Sequence, residues 1–188
     1  MSFQDGALLE PLSVVLSGLR VAELTLGRGA VICGAGPIGL TALLAARASG
    51  AHPLVVTDIE PKRLAFAKEL VPSCLTYQID PSLDARGNAR GIRKLFGARG
   101  GEGEEGDEYF APPCVVECTG VESSVCTAAF TVRRGGRVVV VGVGKNIMNN
   151  LPFMHLSLAE VRAKEIRRLD AVFIELRMIT MSNWLNTD

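Results

Sequence analysis

Apolar residues along this chain gather in short, dense runs. Ala30–Cys33, Leu54–Thr57, Cys74–Ile79, Cys114–Cys118 and Arg137–Val143 are each rich in Val, Ile or Cys, and most are bounded by Gly, Pro or Asp. Runs of this length and composition predict buried strands. Between them the apolar positions recur with helical spacing: Leu40, Leu43 and Leu44, then Leu64, Ala67 and Val71, and finally Val121, Val125, Ala129 and Val132. Pro61 suits the first turn of its helix and Gly50 the end of the preceding one. Strands hydrophobic throughout imply a sheet covered on both faces, and parallel neighbours need long crossovers. The alternation therefore predicts a doubly wound α/β domain with a parallel sheet.

The ends of the chain read differently. Leu12, Val15, Leu16 and Leu19 lie on one face of an expected helix before the first strand, led in by residues Gly6 to Pro11. After the fifth strand, Asn146–Pro152 forms a polar turn, Ala159–Arg168 is expected to be helical, and a further strand is expected within Ala171–Met181. The acidic, glycine-rich segment Ala98–Tyr109 predicts a solvated loop. This layout gives a lead-in over residues 1–25, a main α/β unit over 26–161 and a tail over 162–188.

Composition narrows the function. The 188 residues carry 20 Lys+Arg against 20 Asp+Glu, a formal net charge of zero. That balance argues against nucleic-acid binding by bulk electrostatics and against a polybasic membrane anchor. No apolar run is long enough to span a bilayer, and no basic segment followed by an apolar one opens the chain, so neither membrane insertion nor a secretory signal is expected. A cytoplasmic location is expected. Five cysteines, an odd number lying largely in apolar runs, predict reduced thiols acting as small hydrophobes. Cys114 and Cys118 share a strand face but lie too far apart to chelate one ion easily.

The chemistry concentrates at Gly34-Ala35-Gly36-Pro37-Ile38-Gly39, a G-x-G-x-x-G directly after a predicted strand and opening a predicted helix. In that context the first glycine permits the tight turn, the second lets a pyrophosphate approach the backbone, and the third allows close helix–strand packing. Exposed amides at the helix start complete an anion site. Asp58 ends the second strand nineteen residues after Gly39, where a carboxylate accepts hydrogen bonds from an adenosine ribose and repels a 2′-phosphate. NAD is therefore favoured over NADP. Arg63 is placed to cover the adenine, although Lys62 and Arg63 as a basic pair also suit a 2′-phosphate. Cys118-Thr119-Gly120 and Gly142-Val143-Gly144 follow the fourth and fifth strands, at the end of the sheet where such domains hold their ligand. Thr119 equally suits an N-cap for the helix near Val121.

These segments resemble the zinc-dependent polyol branch of the medium-chain dehydrogenase/reductase family. The resemblance rests on GALLEPLSV (Gly6–Val14), VICGAGPIGL (Val31–Leu40), VVTDIEPKRLAFAKEL (Val55–Leu70), VVECTGVESSV (Val115–Val125), GRVVVVGVGK (Gly136–Lys145) and PFMHLSLAEV (Pro152–Val161). It implies a Rossmann coenzyme domain in which Pro37 and Ile38 contact NAD, Asp58 and Arg63 hold the adenosine, and Val141, Gly142 and Val143 lie near the nicotinamide. It also implies that Glu10 belongs to a catalytic zinc site; on spacing alone Glu10 merely accompanies Pro11 at a helix start. The family's other zinc ligands come from an N-terminal barrel-like domain that does not appear in this sequence, and neither His52 nor His155 replaces them. Residues after Val161 depart from the family pattern. The resemblance further implies oxidation of a pentitol such as L-arabinitol to a ketose, and homo-oligomers. Two other functions share the glycine turn: a non-catalytic NAD(H)-binding module, and a methyltransferase using S-adenosylmethionine. The Pro37 helix start and the ECTG and VGVGK segments fit the dehydrogenase better.

Overall fold

A computed structural model describes residues 3–97, 110–166 and 174–176. The elements run in the order α1 (Phe3–Val21), β1 (Ala30–Cys33), α2 (Pro37–Ala48), β2 (Leu54–Asp58), α3 (Pro61–Leu70), β3 (Leu75–Gln78) and α4 (Ala85–Lys94). They continue with β4 (Cys114–Glu117), α5 (Glu122–Thr131), β5 (Arg137–Val140), α6 (Phe153–Leu158), β6 (Arg162–Glu165) and β7 (Ile174–Leu176). The strands form one sheet in the order β3-β2-β1-β4-β5-β6-β7. Every neighbouring pair is parallel except β6 with β7. Strand order reverses between β1 and β4, the switch point of a Rossmann sheet.

The sheet is buried because its strands are apolar on both faces. Ala30, Ile32, Val56, Val116 and Val139 pack into one core layer with Val15 and Leu19 of α1 and Ala42, Leu43 and Ala46 of α2. Val31, Val55, Val115 and Val138 pack into the other with Ile92 of α4 and Ala128 and Ala129 of α5. Burying each Val or Ile side chain contributes about 1.5–3 kcal/mol, so the central strands supply much of the hydrophobic stabilisation. Pro61 occupies the first turn of α3, and Gly50 follows α2 with φ +73°.

Several expectations need correction. Residues 162–165, read as helical from their charged, helix-favouring composition, form β6, because their backbone pairs with β5 from Arg137↔Arg162 to Val140↔Glu165. Sheet pairing overrides local propensity here, and the sheet continues beyond residue 161. The fifth strand ends at Val140, before Val143, since the amides of Val141 and Gly142 both turn to the Glu117 carbonyl. Helix α1 already begins at Phe3 and passes through Pro11. Its core face is Val15 and Leu19, followed by buried Ala22 just past its end, while Leu12 and Leu16 are exposed. Helix α4, which the apolar pattern does not reveal, is capped by Asp84, whose side chain accepts from the Gly87 amide at 2.7 Å. The segment expected as an acidic loop, 98–109, lies outside the described residues.

Candidate functional site

The β1–α2 turn is built by three glycines with three different jobs. Gly34 has φ +97°, and a Cβ there would lie 2.8 Å from Thr119 Cγ2. Gly39 is buried so closely under the turn that a Cβ would strike the Gly34 carbonyl. Gly36 differs from both. It is the N-cap of α2 with φ −80° and ψ −176°, a conformation open to any residue, and beyond its immediate chain neighbours no atom lies within 4 Å of where its Cβ would stand. The protein's own packing gives no reason for glycine at this position, whereas a ligand passing over the turn does. No side chain caps the first turn of α2, which suits its amides to an anion. Pro37 occupies that turn and is exposed, while Ile38 is half-buried against the core.

Asp58 closes the turn from the side. Its Oδ2 accepts from the Ala35 amide at 2.8 Å and its Oδ1 from the Glu60 amide at 2.9 Å. The Arg63 guanidinium stands 3.8 Å from Oδ2. Two amides leave a carboxylate further acceptor capacity, so Asp58 can hold the turn and still receive ribose hydroxyls. A cleft of about 330 Å³ opens between the turn at Ala35–Pro37, with Leu40, and Lys62, Arg63 and Phe66 of α3.

On the other side of the switch point, Glu117 ends β4 fully buried. Its Oε1 accepts from the Thr119 amide (2.9 Å), from the Ser124 hydroxyl (2.9 Å) and, in a short contact, from the Thr119 hydroxyl; Oε2 accepts from the Gly120 amide at 2.9 Å. Thr119 is not the N-cap of α5, a place held by Val121. Its hydroxyl instead accepts from the Val121 amide at 3.0 Å. The turn after β5 packs backbone against backbone on this one: a Cβ on Gly142 would lie 2.6 Å from the Thr119 carbonyl carbon. The Val141 side chain is buried towards Gly18 of α1, whereas Val143 is 85% exposed.

All five cysteines are free thiols. Burial, reinforced by the Glu117 charge, pushes Cys33 up to about 12 and Cys118 well above the usual thiol range. Burial also pushes Cys114 up to about 12, against the pull of Arg137 and Arg28. These thiols are neutral and poor nucleophiles near neutral pH.

Helix α1 runs antiparallel to β5, since Gly18 meets Val141 while Glu23 pairs with Arg137 at the start of that strand. Glu10, eight residues before Gly18, therefore lies about 12 Å further along the axis, beyond the carboxyl edge that carries the glycine turn. Among the described residues no three His, Cys, Asp or Glu side chains come together to hold a metal ion. They do not by themselves supply the three protein ligands of a catalytic zinc. His52 is exposed, and the His155 ring stands 3.2 Å from the Ala129 carbonyl and 4.6 Å from the Phe130 ring, a packing role.

Sequence reasoning thus places the glycine turn, Asp58, Arg63 and the two far turns along one edge. It misses Glu117, although an acid ending the otherwise apolar run CVVE is a readable sign of a buried polar centre.

The sequence profile of zinc-binding dehydrogenases matches residues 37–183. The chain belongs to this family. Zinc-binding dehydrogenases are NAD(P)-dependent, and membership sets aside the methyltransferase alternative. The chain is 52% identical to L-arabinitol 4-dehydrogenase of Aspergillus oryzae over 161 residues, 86% of this chain and 41% of the relative. Sorbitol dehydrogenase of Mus musculus is 38% identical over 168 residues, 89% of this chain and 43% of the relative. Among solved structures, 2R,3R-butanediol dehydrogenase of Bacillus subtilis superposes with a TM-score of 0.68 at 26% identity, over 92% of this chain and 44% of that one. The chain thus spans about two fifths of the length of these dehydrogenases. No described helix is long and apolar enough to cross a membrane.

Proposed function

We propose that this chain is the coenzyme-binding part of a polyol dehydrogenase that oxidises a pentitol such as L-arabinitol, with NAD rather than NADP as coenzyme. The observation that carries the reading is Gly36, a glycine that neither the backbone conformation nor any neighbouring atom requires. The 52% identity to an L-arabinitol 4-dehydrogenase supports the substrate class.

In this reading the α2 amides and the open space at Gly36 receive the diphosphate. Asp58 orients the adenosine ribose, Arg63 covers the adenine, and Pro37 and Ile38 line the diphosphate path. Cys118, Thr119, Val141, Gly142 and Val143 belong to the wall that borders the nicotinamide end. When bound, a nicotinamide coenzyme supplies the hydride acceptor; the chain's residues bind it, orient it and shield one side. The residues described here do not make a zinc centre on their own, and Glu10 is this chain's candidate contributor to one.

Fluorescence titration with NADH and NADPH tests the coenzyme assignment. NADH binds at least about tenfold more tightly, reflecting the Asp58 carboxylate, and Asp58→Ala narrows that gap. Equal affinity for the two coenzymes would contradict the NAD assignment. Failure of the folded chain to bind either would contradict the whole reading. With zinc and NAD+ supplied, NADH formation fastest on L-arabinitol among L-arabinitol, xylitol and sorbitol supports the substrate class, and turnover on none of the three by the folded, NADH-binding chain favours the non-catalytic NAD(H)-binding module instead.

A further inference from the structure

Glu117 is the most heavily engaged buried polar group at the carboxyl edge, and the binding scheme above gives it no contact with ligand. It sits at the switch point, in register with Cys33 at the base of the glycine turn. Four donors converge on its two oxygens, from Thr119, Gly120 and Ser124. Two of them are backbone amides that cannot reverse their polarity, so a side chain presenting only acceptors satisfies the set. A glutamine would set its own N–H against the Thr119 or the Gly120 amide.

The carboxylate therefore fixes the path of Cys118–Gly120, and that path fixes more. Gly120 has φ +70°, and a Cβ on it would strike the backbone of Val143. Gly144 packs equally closely on the Gly120 carbonyl. The Glu117 carbonyl accepts from Val141 at 2.7 Å and from Gly142 at 3.0 Å. Both turns of the far wall thus hang on one residue, through its side chain for one and its main chain for the other. Thr119 in turn stands against Gly34, linking this wall to the glycine turn.

We propose that Glu117 is a positioning residue of the coenzyme site, setting the wall that meets the nicotinamide half while leaving the adenosine half to Asp58 and the glycine turn. The inference rests on the coenzyme reading given above. It predicts a split between ligands that a general stabilising role would not produce. In a dinucleotide fold the adenosine half lies towards β2 and the nicotinamide half towards β4 and β5.

The test is titration of the 188-residue chain with NADH and with ADP-ribose, which lacks the nicotinamide, for wild type, Glu117→Gln and Ser124→Ala. Glu117→Gln is expected to weaken NADH binding by about tenfold or more, the scale of a lost charge-assisted hydrogen bond, and ADP-ribose binding by a clearly smaller factor. The emission change of bound NADH is expected to shrink, reporting a less ordered nicotinamide. Ser124→Ala, which removes one donor and leaves both amides in place, moves the ratio of the two affinities in the same direction by a smaller factor; it decides the matter if Glu117→Gln does not fold. Wild-type binding of both ligands with a ratio unchanged in the folded variants would overturn the inference alone. A folded wild type that binds neither would overturn the coenzyme reading and this inference with it.

Discussion

A buried carboxylate, a glycine without steric cause and three neutral thiols carry most of the information at the residue scale. The two glycines flanking Gly36 are demanded by the protein, one by its φ and the other by backbone contact. That contrast yields a stability prediction: Gly39→Ala forces a Cβ into the Gly34 carbonyl and costs about 3 kcal/mol, read by chemical denaturation. A cost near zero would mean that the turn and helix are not packed as described. The thiols give a pH dependence. Cys33 and Cys114 rise from 9.0 to about 12 on burial, so the folded state holds their protons more tightly than the unfolded one. Their contribution to stability is complete below about pH 9 and is lost as pH rises towards 12. Alkaline unfolding should retreat to higher pH in Cys33→Ala or Cys114→Ala relative to each variant's stability at pH 7, and an unchanged profile would contradict it.

At the scale of elements, the legible parts were those whose pattern serves a single purpose. β1 and β2 are apolar because both faces are covered, and the helical spacing of Leu64, Ala67 and Val71 reappears as buried positions of α3 and its end. Legibility failed where another force decides. Arg162–Glu165 is strand because an open edge of β5 offers hydrogen bonds, which no local pattern announces. Helix α4 contributes Ala89 and Ile92 to the core and is otherwise polar, so its cap at Asp84 was the only strong signal. The wall of the site was visible as glycine-containing turns, but its organiser, Glu117, was hidden within an apparently apolar strand. The ends of helices allow a direct check. Glu160 follows α6 with φ +52° in a turn where Val161 donates to the Leu156 carbonyl and Glu160 to that of Ser157. Replacing this exposed residue by glycine should stabilise the chain by about 1 kcal/mol; destabilisation would show that the side chain has a role of its own.

The whole molecule leaves apolar surface in water. Leu8, Leu9, Leu12 and Leu16 form an exposed stripe on α1, and Ile147, Phe153 and Met154 are exposed after β5. With no net charge to oppose contact, the chain is expected to associate, its weight-average mass by light scattering rising with concentration. A single monomeric mass over a wide concentration range would contradict this. The same view locates function: one edge of the sheet carries the glycine turn, Asp58, the Glu117 wall and the approach of α1, and this convergence is what the coenzyme reading explains. Its most direct test is Gly36→Ala, measured for both thermal stability and NADH affinity. Stability is expected to fall by about 1 kcal/mol or less, the N-cap difference between glycine and alanine, and NADH binding to weaken by about tenfold or more. Undiminished NADH binding in the folded variant would contradict the claim that Gly36 is glycine for the sake of a ligand.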